Sequence, residues 1–251
     1  MPKIYDNIEN KLKEGLNKTL EKAKRADFSI GYFNLRGWKE LYQQVEELSG
    51  DYLPEDYTDK TKYHCRVLIG MQKQPRQILE ENFSENEQIV LDNAKAIRFK
   101  KQLAKELRQQ LIIGLPTNAD EKALQKLSAQ IKSEKVIVKL HLAHTLHAKL
   151  YLSIRDDFSS PIIGFVGSSN LTFSGISNQG ELNVDVVEQD AALKLSKWFQ
   201  DRWVDRWSID ISKELIEILD ESWAGEREIP PYHIYLKTAY HLASEARAGM
   251  T

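Results

Sequence analysis

An α/β domain is the fold this sequence predicts, and three observations predict it. Short apolar runs of strand length alternate with longer stretches whose apolar residues recur at helical spacing. Glycine, proline and polar clusters punctuate the runs. At 251 residues, the chain is long enough for one large core, with or without appendages.

In order, Tyr5 to Arg25 carries Ile8, Leu12, Leu16, Leu20 and Ala23 at helical spacing and predicts an amphipathic helix. Phe28 to Phe33 predicts a strand. Gly37 to Leu48 returns to helical spacing through Trp38, Leu41, Val45 and Leu48. Gly50 to Tyr63 is polar and predicts a loop, followed by a buried strand from Arg66 to Met71, bounded by Gly70. The stretch 74–135 is longer than an ordinary crossover and rich in Glu, Lys and Gln, which predicts two inserted helices. In the first, about Glu87 to Gln110, Phe99, Leu103 and Leu107 share one side. Gly114, Pro116 and Asn118 end it, and Asp120 is suited to capping the second. Strands are expected at Val136–Leu140, Leu146–Ile154, Ile162–Val166 and Glu181–Val187, and helices at Ala191–Trp207 and Ser212–Trp223. After Gly225, two prolines precede a new helical pattern through Tyr240 and Leu242. The expected organisation is therefore a main domain over 1–225 and a helical extension, or the start of a further domain, over 226–251. The chain has no internal repeat and no low-complexity tract.

Composition narrows the function classes. A formal net charge of -2 supplies no global attraction to polyanions, so any nucleic-acid binding must come from a local patch. Cys65 is the single cysteine, which precludes an internal disulfide. No apolar segment reaches the length of a membrane span or of a signal-peptide core, and the cytoplasm is the expected compartment.

The chemistry concentrates between His147 and Glu181. His147 and Lys149 are two apart in an alternating run, so on a strand they leave the same face, together with Tyr151. The apolar run Ile162–Val166 ends in Gly167-Ser168-Ser169-Asn170, where glycine permits a sharp turn and Ser168 and Asn170 offer small hydrogen-bonding side chains. A cation, an imidazole and two polar side chains at strand ends suit a phosphate. Glu181 opens another apolar run and is suited to hydrogen-bonding an imidazole and fixing its tautomer.

These residues resemble the phospholipase D superfamily, whose signature is HxK, an aspartate five residues after the lysine, GSxN, and a distant acidic residue. His147-Ala148-Lys149, Gly167-Ser168-Ser169-Asn170 and Glu181 match it. The aspartate position holds Ile154, with Asp156 and Asp157 just beyond, and the polar Arg155–Ser160 turn lengthens the gap to GSSN. The resemblance implies a mixed sheet flanked by helices and a phosphodiesterase of the nuclease-like branch. It implies His147 as nucleophile, Lys149, Ser168 and Asn170 as phosphate ligands without metal or other cofactor, and Glu181 as the group orienting His147. The mechanism uses two histidines and HxK occurs once, so the resemblance also implies a homodimer sharing its site across a two-fold axis.

DNA, or another nucleic acid, is the expected partner. Arg98, Lys101, Lys105 and Arg108 fall in one stripe of the first inserted helix and are candidates for tracking a phosphate backbone. The same stripe is also what the solvated side of an ordinary helix looks like. His141, His144 and His147 are spaced by three, but an extended strand separates His144 from its neighbours and no cysteine or paired carboxylate joins them, so no metal site is expected. The segment Glu228–Lys237 resembles the one that leads toward the motor in bacterial proteins joining such a domain to a helicase. No phosphate-binding GxxxxGK[ST] loop is present, so an ATPase would lie in cis beyond the chain or in a partner. Two other readings stand beside the nuclease: a catalytically silent nucleic-acid-binding or dimerisation module, and a phospholipid hydrolase. For the last, the sequence offers no interfacial apolar helix.

Overall fold

The computed structural model describes residues 2–52, 63–70, 93–112, 116–143, 146–225 and 231–248. Among them, eight strands form one mixed sheet in the order β1-β7-β6-β5-β2-β3-β4-β8. They are β1 (Ile4–Tyr5), β2 (Arg25–Ile30), β3 (Cys65–Ile69), β4 (Val136–His141), β5 (Lys149–Ile154), β6 (Ile162–Gly167), β7 (Asn183–Val186) and β8 (Ser208–Asp210). The β2, β3 and β4 strands are parallel neighbours. The other pairings are antiparallel. The sheet is thus mixed and flanked by helices, as expected.

Strand alternation divides the core between two faces. Ala26, Phe28 and Ile30 of β2 turn to the same core as Tyr151 and Phe165, against helices Leu12–Leu20, Asn93–Ile112 and Asn118–Lys132. Leu68, Leu150, Leu152 and Ile154 turn the other way, onto Phe199 and Trp203 of the helix Gln189–Trp203. Both inserted helices exist where described, and Phe99, Leu103 and Leu107 are buried. Thr117, rather than Asp120, is the N-cap of the second, and Asp120 closes a capping box as its third residue. The 3-10 helix Leu35–Glu40 and the helix Tyr42–Glu47 divide the expected Gly37–Leu48 helix.

The largest departure is at the N-terminus. Tyr5 belongs to β1, paired with β7, and the first helix starts only at Leu12. Asp6 stops an earlier start, because its carboxylate accepts the Ile8, Glu9 and Asn10 amides and holds a turn. Asn7 sits in the left-handed region at φ 62 and its Oδ1 accepts from the Leu12 amide. Ile8, read as part of the apolar stripe, is 77% exposed. Ala191–Trp207 likewise ends early: the helix stops at Trp203 and β8 follows, against β4.

A helix spans Pro231–Ala248 within the 226–251 segment, and the boundary expected after Gly225 falls on residues outside the described range. So do most of the expected Gly50–Tyr63 loop, Met71, the start of the first inserted helix, Gly114 and His144. No helix among the described residues is long and apolar enough to cross a membrane.

Candidate active site

The sheet brings the two motifs together by register. Because β5 runs antiparallel to β2 and β6, its first residue Lys149 pairs with Gly167, and Leu150 pairs with Ser29 near the end of β2. The β5 strand begins at Lys149, so His147 lies on its exposed run-in rather than within the strand. Ile154, at the place of the family aspartate, is buried at the far end of β5, about 16 Å from Lys149 at the usual rise per residue. That departure is therefore remote from Lys149 and from Gly167 at the start of GSSN.

Three glycines permit the approach of these segments. At Gly167 a β-carbon would lie 2.1 Å from the Leu182 carbonyl oxygen, and at Gly70 it would lie 2.4 Å from that of Leu146. At Gly31, just after β2, it would meet the Leu146 carbonyl oxygen at 3.1 Å, Asn170 Oδ1 at 3.4 Å and Lys149 Nζ at 3.6 Å. The lysine and asparagine side chains thus converge over Gly31, beside the residue that precedes His147.

The GSSN turn is pinned from within. Ser169 is fully buried; its amide donates to Asn183 Oδ1 at 3.3 Å and its hydroxyl accepts from Asn183 Nδ2 at 2.8 Å. The Tyr151 hydroxyl donates to the Ser169 carbonyl at 2.9 Å. Burial raises the Tyr151 phenol above its ordinary pKa, and the nearby Glu181 charge adds to the effect, so this donor keeps its proton. Asn183 and the Tyr151 hydroxyl were absent from the sequence-based site. The Tyr151 position on the Lys149 face and a lone amide in the apolar 182–187 run were the signals available.

Ser168 and Glu181 meet directly. The Ser168 hydroxyl accepts the Leu182 amide at 3.0 Å and donates to the Glu181 carboxylate. With an N–H on one side and an acceptor-only carboxylate on the other, the serine proton has one direction to take. The donors left to face an anion are Lys149 Nζ and the Asn170 amide, whose Oδ1 is already engaged by the Tyr32 amide at 3.0 Å. Glu181, expected to orient His147, has Ser168 as its observed hydrogen-bond partner.

Arg98, Lys101, Lys105 and Arg108 are exposed along the helix Asn93–Ile112, as the stripe predicts. Arg108 pairs with Glu221 at 2.7 Å. The same helix reaches the candidate site through Gln110, which donates to the Phe33 carbonyl and accepts from the Leu35 amide. A groove of about 610 Å³ between this helix and the helix Ser212–Asp220 is lined by Lys101 and Arg108 but also by Glu214 and Glu217. His141 is buried and bonded to Ser208, away from exposed His147. Among the described residues no three His, Cys, Asp or Glu side chains are grouped to hold a metal.

A family model described as "Cardiolipin synthase, PLD-like domain" matches residues 60–203, more than half of the chain. No curated protein matches. Among solved structures, NucT from Helicobacter pylori aligns with 10% identity and a TM-score of 0.42, over 84% of this chain and 98% of that one. Nuc from Salmonella typhimurium, a phospholipase D family member, aligns with 11% identity and a TM-score of 0.44, over 84% and 97%. Phosphatidylserine synthase from Haemophilus influenzae Rd KW20 aligns with 14% identity and a TM-score of 0.47, over 98% of this chain and 46% of that one.

Proposed function

Because the chain belongs to the phospholipase D-like family, we propose that it is a phosphodiesterase that cleaves DNA without a metal, through a phosphohistidine on His147. The observation that carries this reading is the convergence of Lys149 Nζ and Asn170 Oδ1 on Gly31, beside exposed His147. A neutral His147 imidazole attacks phosphorus while the bond to the leaving oxygen breaks. A second, protonated imidazole gives that oxygen its proton. Water then attacks phosphorus, losing its proton to the second imidazole as the phosphorus–nitrogen bond breaks. Lys149 supplies a point charge to the non-bridging oxygens and Asn170 a hydrogen bond, roles a divalent cation fills elsewhere.

With one HxK in the chain, the second imidazole comes from His147 of another copy, making a homodimer the working unit. Arg98, Lys101 and Lys105 are the exposed cations from which a DNA track would be built, and Arg108 joins them by giving up Glu221. A helicase or other ATPase, in cis or in trans, and a role in bacterial defence complete the proposal.

The test is to incubate the purified chain with plasmid DNA and, separately, with phospholipid vesicles, each with and without EDTA. Nicking of DNA that survives EDTA is expected. Loss in chelator with recovery in magnesium would remove the metal-free mechanism, and turnover of vesicles alone would transfer the substrate to lipid. Binding of DNA without turnover would favour the silent module.

A further inference from the structure

The segment following β2, Gly31-Tyr32, contributes no group to the chemistry above, yet both residues bear on it. The Tyr32 amide donates to Asn170 Oδ1 at 3.0 Å. An amide side chain anchored by its oxygen presents its nitrogen elsewhere, so this one contact fixes Asn170 as a donor, the polarity an anion requires. Gly31 lies under the groups that handle the phosphate. A methyl group there would crowd the Leu146 carbonyl at 3.1 Å, while standing 3.4 Å from Asn170 Oδ1 and 3.6 Å from Lys149 Nζ. Gly31 is not among the glycines with positive φ, so its requirement is space rather than backbone conformation.

The segment is itself held. The Gly70 amide donates to the Ile30 carbonyl at 2.8 Å, tying the ends of the two central parallel strands together. On the other side, Gln110 binds both the Phe33 carbonyl and the Leu35 amide. The Tyr32 phenol is half-buried; burial raises its pKa and the Glu106 charge raises it further, while a hydrogen bond with Gln110 pulls it down. Tyr32 thus has its amide on the site and its ring against the inserted helix.

We infer that Gly31 and the Tyr32 backbone amide are positioning elements of the active site: the amide sets the orientation of Asn170, and the bare α-carbon of Gly31 sets the separation of Lys149, Asn170 and the His147 run-in. This rests on the phosphodiesterase reading for its activity arm but not for its binding arm. Displacements of a few tenths of an ångström at these groups misalign the reacting geometry without removing a contact to distant parts of DNA. Turnover therefore falls while apparent affinity for long DNA is kept.

The experiment compares the full-length wild type, Gly31→Ala and the control Phe158→Ala, using plasmid DNA for kinetics and orthovanadate as a phosphate mimic. Gly31→Ala is expected to lower kcat about tenfold and to weaken vanadate binding by a similar factor, with KM for DNA within about twofold. Phe158→Ala, at the fully exposed turn remote from the site, is expected to match wild type in both. In the wild type, vanadate should shift the Asn170 side-chain N–H resonances, and the Tyr32 amide should exchange slowly with solvent. A Gly31→Ala protein with wild-type kcat and vanadate affinity overturns the inference, as does a loss confined to thermal stability. Should Gly31→Ala not fold, the wild-type amide decides, because exchange of Tyr32 at the rate of an unprotected amide overturns it equally. Vanadate binding with these signatures but no phosphodiester cleavage removes the activity reading and leaves the positioning intact; failure to bind vanadate removes the positioning.

Discussion

Two charged clusters flank the central strands, and they treat their cations in opposite ways. On the side of the helix Gln189–Trp203, Arg66 is fully buried. Its Nε and Nη2 donate to the two Asp27 oxygens at 2.6 and 2.7 Å, and its Nη1 donates to Gln200 at 2.6 Å. Tyr63, Phe199 and Trp203 rings surround the guanidinium at 4.8 to 5.2 Å. Asp27 and Arg66 are register partners on the parallel β2 and β3, so the pair also fixes how those strands align. At the GSSN pole, Lys149 stays half-exposed, with the Asn170 amide beside it and His147 open to solvent. The strands on either side of β2 thus carry one cation engaged inside the protein, on β3, and one left partly exposed, on β5. The difference lies in what surrounds the charge rather than in the charge itself. A desolvated guanidinium with a bidentate partner is structural, whereas a partly hydrated ammonium beside an oriented amide can receive an anion.

Substitutions should separate the two clusters cleanly. His147→Ala is expected to lower phosphodiester turnover by at least about 10³-fold while leaving the urea midpoint unchanged. A variant that lost stability in step with activity would erase the distinction. Asp27→Ala should do the reverse. It strands Arg66 in the core and should cost about 3–5 kcal/mol of unfolding free energy, with turnover per folded molecule retained. The paired change Asp27→Leu with Arg66→Met should recover much of that loss. If Asp27→Ala destabilised no more than breaking the exposed Lys194–Asp190 pair, the buried pair would not be the anchor described.

Smaller effects sharpen the contrast. Asn170→Ala should reduce kcat about 10²-fold, the usual cost of one transition-state donor, with little change in stability. A change in KM alone would assign Asn170 to ground-state binding. Tyr151→Phe removes the hydrogen bond to the Ser169 carbonyl and should cost about 1 kcal/mol. The wild type should also lose stability in alkali. Burial holds the Tyr151 phenol and the Cys65 thiol above their ordinary values. In that range the unfolded chain has released protons that the native state retains, so stability is fully present below the unfolded pKa values and falls as pH rises past them, about 8.5 for the thiol and 10 for the phenol. Urea midpoints followed from neutral to alkaline pH should decline, and less steeply above the phenol value in Tyr151→Phe; parallel curves would exclude Tyr151 as a source.

The sequence disclosed most where pattern and chemistry coincide. The central strands have enough apolar residues to show their length, and HxK with GSSN marks a pole of the sheet that register then assembles. It disclosed least at the edges. Strands β1 and β8 have two and three residues, too short to show alternation, and β1 forms where Asp6 and Asn7 override an apparent helical stripe. At the site, HxK and GSSN name the polar groups but not how they divide their bonds. That Ser168 binds Glu181 follows from the pairing of β6 with β7, and that the Tyr32 amide binds Asn170, 138 residues away, follows from the meeting of distant segments. Local spacing carries no trace of either.

The β5–β6 hairpin has a consequence for how such a chain can be altered. Pairing runs from Lys149–Gly167 to Ile154–Ile162, and the turn between lies at the end remote from His147. Residues added to or removed from that turn leave every rung of the ladder above it in register. Phe158 at its tip is fully solvent-exposed, and Asp157 shapes the bend by accepting the Ser159 and Ser160 amides. The hairpin therefore separates length from geometry: it is a splice point, where a peptide tag or a fluorophore could be grafted while the spacing of lysine and asparagine at the opposite pole is preserved.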